Sequence, residues 1–478
     1  MSDAATAERN DRWFLGHPKG LAYIAFTEAW ERFSYYGMIA LLVLYMTKQL
    51  LLPGHVENIV GFEGVRWLAE HTYGGGKTMT VVALASAIYG FYSSTVYLTP
   101  FFGGLLADWV LGRTRTVILG AVLMATGHFL MAFDASFLGA LVCLMLGSGC
   151  LKGNLATQVS GLYGPEDNRR ADAFQIYYLG INGGVIFGPT VTAYLGQGID
   201  WHYGFGAAGL GMLVSLVIYL RGRKHLPPDP PRRRRATAQE KAARPPMSSR
   251  DVAVVVLLLL LLPVLALSVV GNNQIQNALL IWADRDLALP VIFGKPIPAG
   301  TLIAVDSIVS VTFIALMVLF WRWWATRFKE PDEIGKIVIG CFFGAAGVAC
   351  LAVGSSIGAA SGEKVGFGWL LAFLILNDIG FANVLPVGLA FYARSAPAAF
   401  AGSIVGLYYL HLWAGNTLVG WLGGLLEKMP TSQFWLIHAA LVATAGVVFL
   451  VVRVVFGQLL LHRSAPTATA VSPGADPV

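Results

Sequence analysis

The sequence predicts an all-α, polytopic membrane protein whose twelve transmembrane helices form two six-helix bundles. Three observations lead there: a shortage of charge, a series of long apolar runs, and one basic linker that divides them. Of the 478 residues, 56% are hydrophobic and only 13% are charged, where a soluble domain carries about 25%. So few charged groups cannot keep a chain of this length in water, and placing most of its surface in lipid removes the conflict. Crossing the hydrocarbon takes ~20 apolar residues in a helix. The stretches containing Leu41–Leu44, Val252–Val270, Leu302–Phe320 and Leu441–Phe456 are long enough. Inside lipid the backbone can pair only with itself, so these stretches are helices.

The spans fall at about 21–47, 79–107, 115–133, 136–161, 171–198, 203–220, 252–283, 299–324, 334–356, 366–394, 400–426 and 433–457. Most connections are short. Residues 48–78 form a polar loop containing Gly74, Gly75 and Gly76. Residues 221–250 form a linker with Pro227, Pro228, Pro230, Pro231 and the run Arg232–Arg235. This linker leaves six spans in 21–220 and six in 251–457, flanked by an N-terminal segment (1–20) and a disordered tail (458–478). No strong internal repeat is visible, so the division rests on span count and linker position. Lysine and arginine gather in the loops on one side: Arg113 and Arg115, Arg169 and Arg170, Arg221 to Arg235, Arg322 to Lys336, and Arg394. By the positive-inside rule, both termini and the linker are expected in the cytoplasm. The first twenty residues hold no apolar signal core, so no cleaved leader is expected.

The net charge of +6 sits between apolar runs and reads as membrane orientation, which argues against a nucleic-acid partner. The partner it implies is the lipid bilayer. Cys143, Cys150, Cys341 and Cys350 all lie in apolar stretches without metal-ligand spacing. No nucleophile elbow, metal-binding helix motif or phosphate loop is present, and His128, His202 and His411 are scattered. An enzyme is therefore not expected, nor a metal or cofactor.

The informative residues are the ionisable ones inside spans, each of which costs ~2.5–3.5 kcal/mol on insertion scales. In the first span Glu28, Glu31 and Arg32 fall at i, i+3 and i+4, on one helix face, and Tyr35 and Tyr36 extend the patch. Two carboxylates beside one arginine leave excess negative charge, a setting that favours binding a proton. Lys152 lies deep in the fourth span and needs an anionic partner, for which Glu28 or Glu31 is expected. Asn182 places an amide at mid-depth of the fifth span, and the second span carries Tyr89, Tyr92 and Tyr97. After the second span, Asp108 is followed across a tight turn by Arg113 and Arg115, an arrangement suited to a cytoplasmic gate latch.

These residues carry a family resemblance. The run from Glu28 to Gly37 resembles the first-helix signature of the proton-dependent oligopeptide transporter family. Gly103 to Arg115 resembles the loop motif of the wider major facilitator superfamily, whose fold is two six-helix bundles around a midplane site. Lys152-Gly153-Asn154 and Phe174 to Gly184 resemble that transporter family's fourth- and fifth-helix motifs. The resemblance implies import of di- and tripeptides with protons as the coupling ion, at the plasma (inner) membrane. It implies coupling roles for Glu28, Glu31, Arg32 and Lys152, and substrate contacts for Arg32, Tyr35, Tyr36, Tyr92, Lys152 and Asn182.

The C-terminal half departs from the pattern. Where the family has a seventh-helix glutamate, alignment on Ala283-Asp284-Arg285 places Asn273. Where a tenth-helix glutamate receives the peptide amino group, five residues before Pro386, stands Phe381. Asp378 lies close to one turn earlier, and Asp306 stands where the eighth helix often has asparagine. An ammonium group leaving water needs an anion or several acceptors. Either Asp306 or Asp378 supplies it, Asp306 being favoured, or the substrate lacks a peptide-like amino terminus. Two alternatives stay open: a proton-coupled transporter of another small metabolite, and a membrane sensor that binds without transporting. Oligomeric state is not readable.

Overall fold

A computed structural model describes residues 11–164, 167–229, 248–292, 294–397 and 401–461. The Arg232–Arg235 run and the tail beyond residue 461 lie outside these. Helices stand at all the expected spans. In the first half they are α1 (Lys19–Tyr45), α3 (Val81–Leu106), α4 (Arg113–Leu130), α5 (Phe137–Gly161), α6 (Arg169–Gly198) and α7 (Trp201–Gly222). In the second half they are α8 (Ser249–Ser268) continued by α9 (Ala278–Asp286), α10 (Leu302–Ala325), α11 (Glu333–Ser361), α12 (Phe367–Ser395), α13 (Ala401–Tyr408) with α14 (Leu410–Gly423), and α15 (Thr431–Leu461). Among the described residues, eight helices are long and apolar enough to span by composition alone. The remaining spans explain their own shortfall. α1 and α6 carry the polar motifs, α4 is short and opens on Arg113 and Arg115, and α13 is separated from α14 at Tyr409.

Local chemistry sets the helix starts. Asp11 accepts a hydrogen bond from the Lys19 amide (2.8 Å) at the head of α1. Thr80 caps α3, Asp332 caps α11, and Ser248 with Asp251 forms a reciprocal capping box on α8. α15 runs to Leu461, so the first residues read as tail are helical.

Two expectations are corrected. The 48–78 segment is not merely a polar loop. It contains α2 (Phe62–Thr72), an amphipathic helix with Phe62 and Ala69 buried. The seventh span is not one helix over 252–283. After Ser268 the chain makes a single turn, Val270–Asn273, then a 3₁₀ turn, Gln274–Gln276, and passes through Asn277 before α9. Side-chain amides take over from the backbone here, a competition that hydrophobic periodicity does not register. Gln274 Oε1 accepts from the Ala278 amide (3.3 Å) and from Asn277 Nδ2 (3.2 Å). Gln274 Nε2 donates to the Val419 carbonyl (3.3 Å) and lies 3.0 Å from His438 Nε2. His438 Nδ1 is 2.8 Å from the Phe434 carbonyl, which fixes it as the donor and leaves Nε2 to accept. Gln274, Asn277 and His438 are fully buried.

In the first bundle α1 packs on α6 and α7, and α5 on α3 and α4. In the second, α11 packs on α12 and α15, and α8 on α15. The bundles meet chiefly through α3 with α14 and α6 with α10. Their ties concentrate toward the end remote from the arginine-rich loops. There Lys48 pairs with Asp284 (2.6 Å) and the Gly300 amide donates to Gln197 Oε1 (2.8 Å). Gly90 abuts Gly420 so closely that a Cβ on Gly90 would lie 2.5 Å from the Gly420 Cα.

Candidate functional site

Between the bundles lies a cavity of about 260 Å³. Its first wall is phenolic, made by Tyr36 of α1, Tyr89 and Tyr97 of α3, with Asn182 of α6. Its second wall is amide- and acid-bearing. The interrupted seventh span contributes Asn272, Asn273 and Gln276, α10 contributes Asp306, Ser307 and Ser310, and α12 and α14 contribute Phe381 and Asn416. The break in the seventh span is what turns three consecutive-region amides toward this space. Two hydrogen bonds join the walls: Tyr89 to Gln276 Oε1 (3.1 Å) and Ser93 to Asn416 Oδ1 (3.0 Å). Asn182 donates to its own helix at the Tyr178 carbonyl (2.9 Å).

Behind Tyr36 sits the first-span trio. Arg32 Nε lies 2.7 Å from Glu28 Oε1 and 3.0 Å from Glu31 Oε2. Both glutamates are buried and Arg32 is 9% exposed. The single Nε–H is donated to Glu28 while Glu31 stands only at ion-pair distance, and Glu28 Oε2 and both Glu31 oxygens have no hydrogen-bond partner. α6 is held this close by its glycines: a Cβ on Gly184 would meet the Ala29 carbonyl at 2.2 Å and the Arg32 Cβ at 2.8 Å.

The other expected residues divide. Tyr36, Asn182, Asn273, Asp306 and Phe381 line the cavity. Lys152 does not form the expected ion pair with Glu28 or Glu31. Its ammonium lies over the rings of Tyr35 (4.5 Å) and Tyr97 (5.5 Å), so aromatic faces take the place of the anion. Tyr35 is buried beneath it. Tyr92 is buried with its hydroxyl unpartnered, near Tyr35, Tyr89 and Glu31, and it also lines an apolar pocket of about 180 Å³ between α2, α3 and α5. Asp378 is only 1% exposed and lies behind the cavity, outside its lining.

At the arginine-rich end the latch differs from the one expected. Asp108 lies in a π-helical turn, Ala107–Leu111, that extends α3. Gly112 then turns the chain at φ 83°, a conformation open to glycine. Asp229 also fastens this corner, accepting from the Thr114 amide (3.1 Å) and hydroxyl (3.1 Å). Arg113 and Arg115 enter no ion pair among the described residues.

Sequence reasoning passed over Asn416, Ser307, Ser310 and Asp229. Gln276 lay within the Asn272–Asn277 run and Tyr97 within the second-span tyrosines, but neither was singled out. A polar residue on an otherwise apolar span was the available signal for Asn416 and Ser310.

A family model described as the POT family matches residues 114–250 and 246–441, more than half of the chain. The chain belongs to the POT family. Similar full-length proteins include "Peptide transporter YePEPT" of Yersinia enterocolitica subsp. palearctica serotype O:3 (strain YE-P4), 28% identical with 92% of this chain and 95% of that one covered. "Uncharacterized transporter YclF" of Bacillus subtilis (strain 168) is 27% identical, with 94% of each covered. Among solved structures, a mutant of peptide transporter POT in complex with sulfate is 25% identical, with a TM-score of 0.80 over 96% of this chain and 100% of that one. The same transporter in complex with alafosfalin is also 25% identical, with a TM-score of 0.79 over 95% and 98%. This POT protein is thus a multi-pass membrane transporter of the major facilitator fold. Within that fold, Phe381 puts a ring on the cavity wall where the family resemblance expects a carboxylate. Gly90 has no room for a side chain against Gly420.

Proposed function

We propose that this protein is a symporter that imports di- and tripeptides with protons, by alternating access at the plasma membrane, with both termini cytoplasmic. The observation that carries this reading is the buried trio of Glu28, Glu31 and Arg32 beside a polar cavity between two bundles. One arginine cannot fully satisfy two carboxylates in a medium of low dielectric, so binding a proton at one of them relieves the cluster and frees the guanidinium. Arg32 and Lys152 are the cations for a peptide carboxylate. Lys152 reaches the cavity past the Tyr97 ring, so that ring is a movable screen in this reading. Asn182, Asn273 and Gln276 offer amides of the kind that pair with a peptide bond. Asp306 supplies the anion for the amino terminus in place of the missing tenth-helix glutamate. The ties at Lys48–Asp284, Gln197–Gly300 and Gly90–Gly420 support a state closed on the side away from the cytoplasm. Uptake of labelled dialanine into proteoliposomes under an imposed pH gradient tests the proposal. It is expected to follow the gradient and to lose that dependence in Glu31→Gln; gradient-independent uptake by the unmodified protein sinks proton coupling.

A second reading is favoured by Phe381: a proton-coupled carrier of another small metabolite without a peptide-like amino terminus. Competition between dialanine, an amino-blocked dialanine and small organic acids separates the two. Equal competition by free and blocked peptide selects the second.

A further inference from the structure

The C-terminal bundle holds two carboxylates that the reading above leaves unequal. Asp306 meets the cavity, and Asp378 does not. Asp378 is 1% exposed, and neither of its carboxylate oxygens has a hydrogen-bond partner; Asp306 Oδ1 is likewise buried and unpartnered. They stand on α10 and α12, which pack together. Ser310 lies one turn beyond Asp306 on the same face of α10. It lines the cavity and also stands beside Asp378, whose carboxylate is within electrostatic reach of Asp306. Asn377, 4% exposed and with its own amide nitrogen unpartnered, adjoins Asp378.

The surroundings bring no positive charge among the described residues. From α1, the phenol of Tyr36 is the group that feels Asp306. α6, packed on α10, presents Asn182 at the cavity, has Tyr177, Tyr178 and Tyr194 as phenols, and carries Arg169, Arg170 and Asp172 only in its first turn. α11, packed on α12, has the thiols of Cys341 and Cys350, while its Glu333 and Lys336 lie in the first turn and pair with Arg394 and Glu330. α13 brings Tyr408, whose hydroxyl is committed to the Leu385 carbonyl (2.7 Å). An ionised Asp378 would therefore have no counter-charge at membrane depth, only the neutral donors Ser310 and Asn377 beside it, which is a costly setting for a carboxylate. Two like charges this close also cannot both persist in a poorly screening medium.

We propose that Asp378, with Ser310 and Asp306, forms a second proton-binding site, in the C-terminal bundle and separate from Glu28 and Glu31. Asp378 holds the proton while Asp306, at the cavity wall, is free to meet a cationic group of the substrate. Ser310 connects them: its Oγ accepts the proton from the Asp378 carboxyl as its own O–H proton passes to an Asp306 oxygen, with no net change in bonds. The transport consequence rests on the proton-coupled reading. The site itself is testable without any substrate, so the two can fail separately.

Infrared absorption of the purified full-length protein in lipid nanodiscs at about pH 7 reads the site directly. The difference between the unmodified protein and Asp378→Asn is expected to contain the C=O band of a protonated carboxyl, and the same band is expected to persist in Glu28→Gln and Glu31→Gln. Spectra of the unmodified protein and Asp378→Asn that superimpose in that region overturn the proposal. Should Asp378→Asn not fold, Ser310→Ala decides: a protonated-carboxyl band displaced in frequency supports the site, and an undisplaced one overturns it. With dialanine as probe in proteoliposomes, proton-to-peptide stoichiometry from reversal potentials is expected to fall by about one in Asp378→Asn. An unchanged ratio removes the coupling role, while failure of the unmodified protein to carry dialanine bears on the peptide reading and leaves the infrared result standing.

Discussion

The two bundles solve one electrostatic problem in different ways. In the first, two buried carboxylates share one cation on the same helix, which leaves one negative charge over: Arg32 lies 2.7 Å from Glu28 and 3.0 Å from Glu31. In the second, Asp306 and Asp378 have no cation beside them, and neutrality has to come from a proton or from whatever enters the cavity. The first arrangement is built into the chain and survives an empty cavity. The second is completed only by a proton or a ligand. A wall of phenols screening two cations thus faces a wall of amides with one open carboxylate, and this asymmetry gives the cavity a direction for a molecule with unlike ends.

The largest expected effect comes from removing the built-in cation. Arg32→Ala leaves Glu28 and Glu31 buried without a partner, a loss of about 3–5 kcal/mol for a broken buried pair. Thermal unfolding of the detergent-purified protein should show a clearly lowered midpoint, together with loss of dialanine uptake; a midpoint equal to that of the unmodified protein would mean the trio is not an ion-paired unit. Asp306→Asn tests the open wall. It should weaken half-saturation by dialanine about 10- to 100-fold, or ~1.4–2.8 kcal/mol, while an amino-blocked dipeptide that competes at all should be affected little. Equal weakening of both ligands would take Asp306 out of amino-group recognition.

Smaller effects should come from the joint between the bundles. Gly90→Ala places a methyl against Gly420 and should disfavour closure at that end by ~1–3 kcal/mol. Spin-label distances between the remote ends of α3 and α14 should then lengthen, and an unchanged distance distribution would mean that the glycine contact does not limit closure. Lys48→Ala removes a tie whose lysine is 45% exposed and should shift the same distribution by no more than ~1 kcal/mol. A larger shift that vanishes at high salt would promote this pair to a principal latch.

Much of this contrast was legible in the sequence because it depends on short-range spacing. Glu28, Glu31 and Arg32 meet because residues three and four apart on a helix must meet, and the spans show themselves through length and apolarity. The C-terminal departures at Asn273, Asp306 and Phe381 were legible too, by comparison with a pattern. What escaped depends on helix rotation and on contacts distant in sequence. Tyr89 and Tyr92 are three residues apart on α3, yet only Tyr89 meets Gln276 across the bundle joint, while the Tyr92 hydroxyl stays unpartnered. Lys152 found aromatic faces, a partner type that counting charges does not suggest. Asp229 and Thr114 are separated by 115 residues, and nothing local in either announces the other. The break after Ser268 was hidden because it is made by the side-chain amides of Gln274 and Asn277, while a single glycine, Gly271, is common in membrane helices and does not mark a break.

That break has a mechanical consequence. Gaps in membrane helices are often filled by water, which leaves slack. Here the gap is filled by side chains bound to neighbours: Gln274 to the Val419 carbonyl on α14 and to His438 on α15. The outer piece, α9, is therefore spliced to α14 and α15 more firmly than it is continued from α8. Asp284, near its tip, should travel with those two helices as one rigid lever when the Lys48 tie lets go, while α8 below remains the fulcrum. Amide hydrogens at 274–278 should accordingly exchange as slowly as those of unbroken helix, an elbow without play.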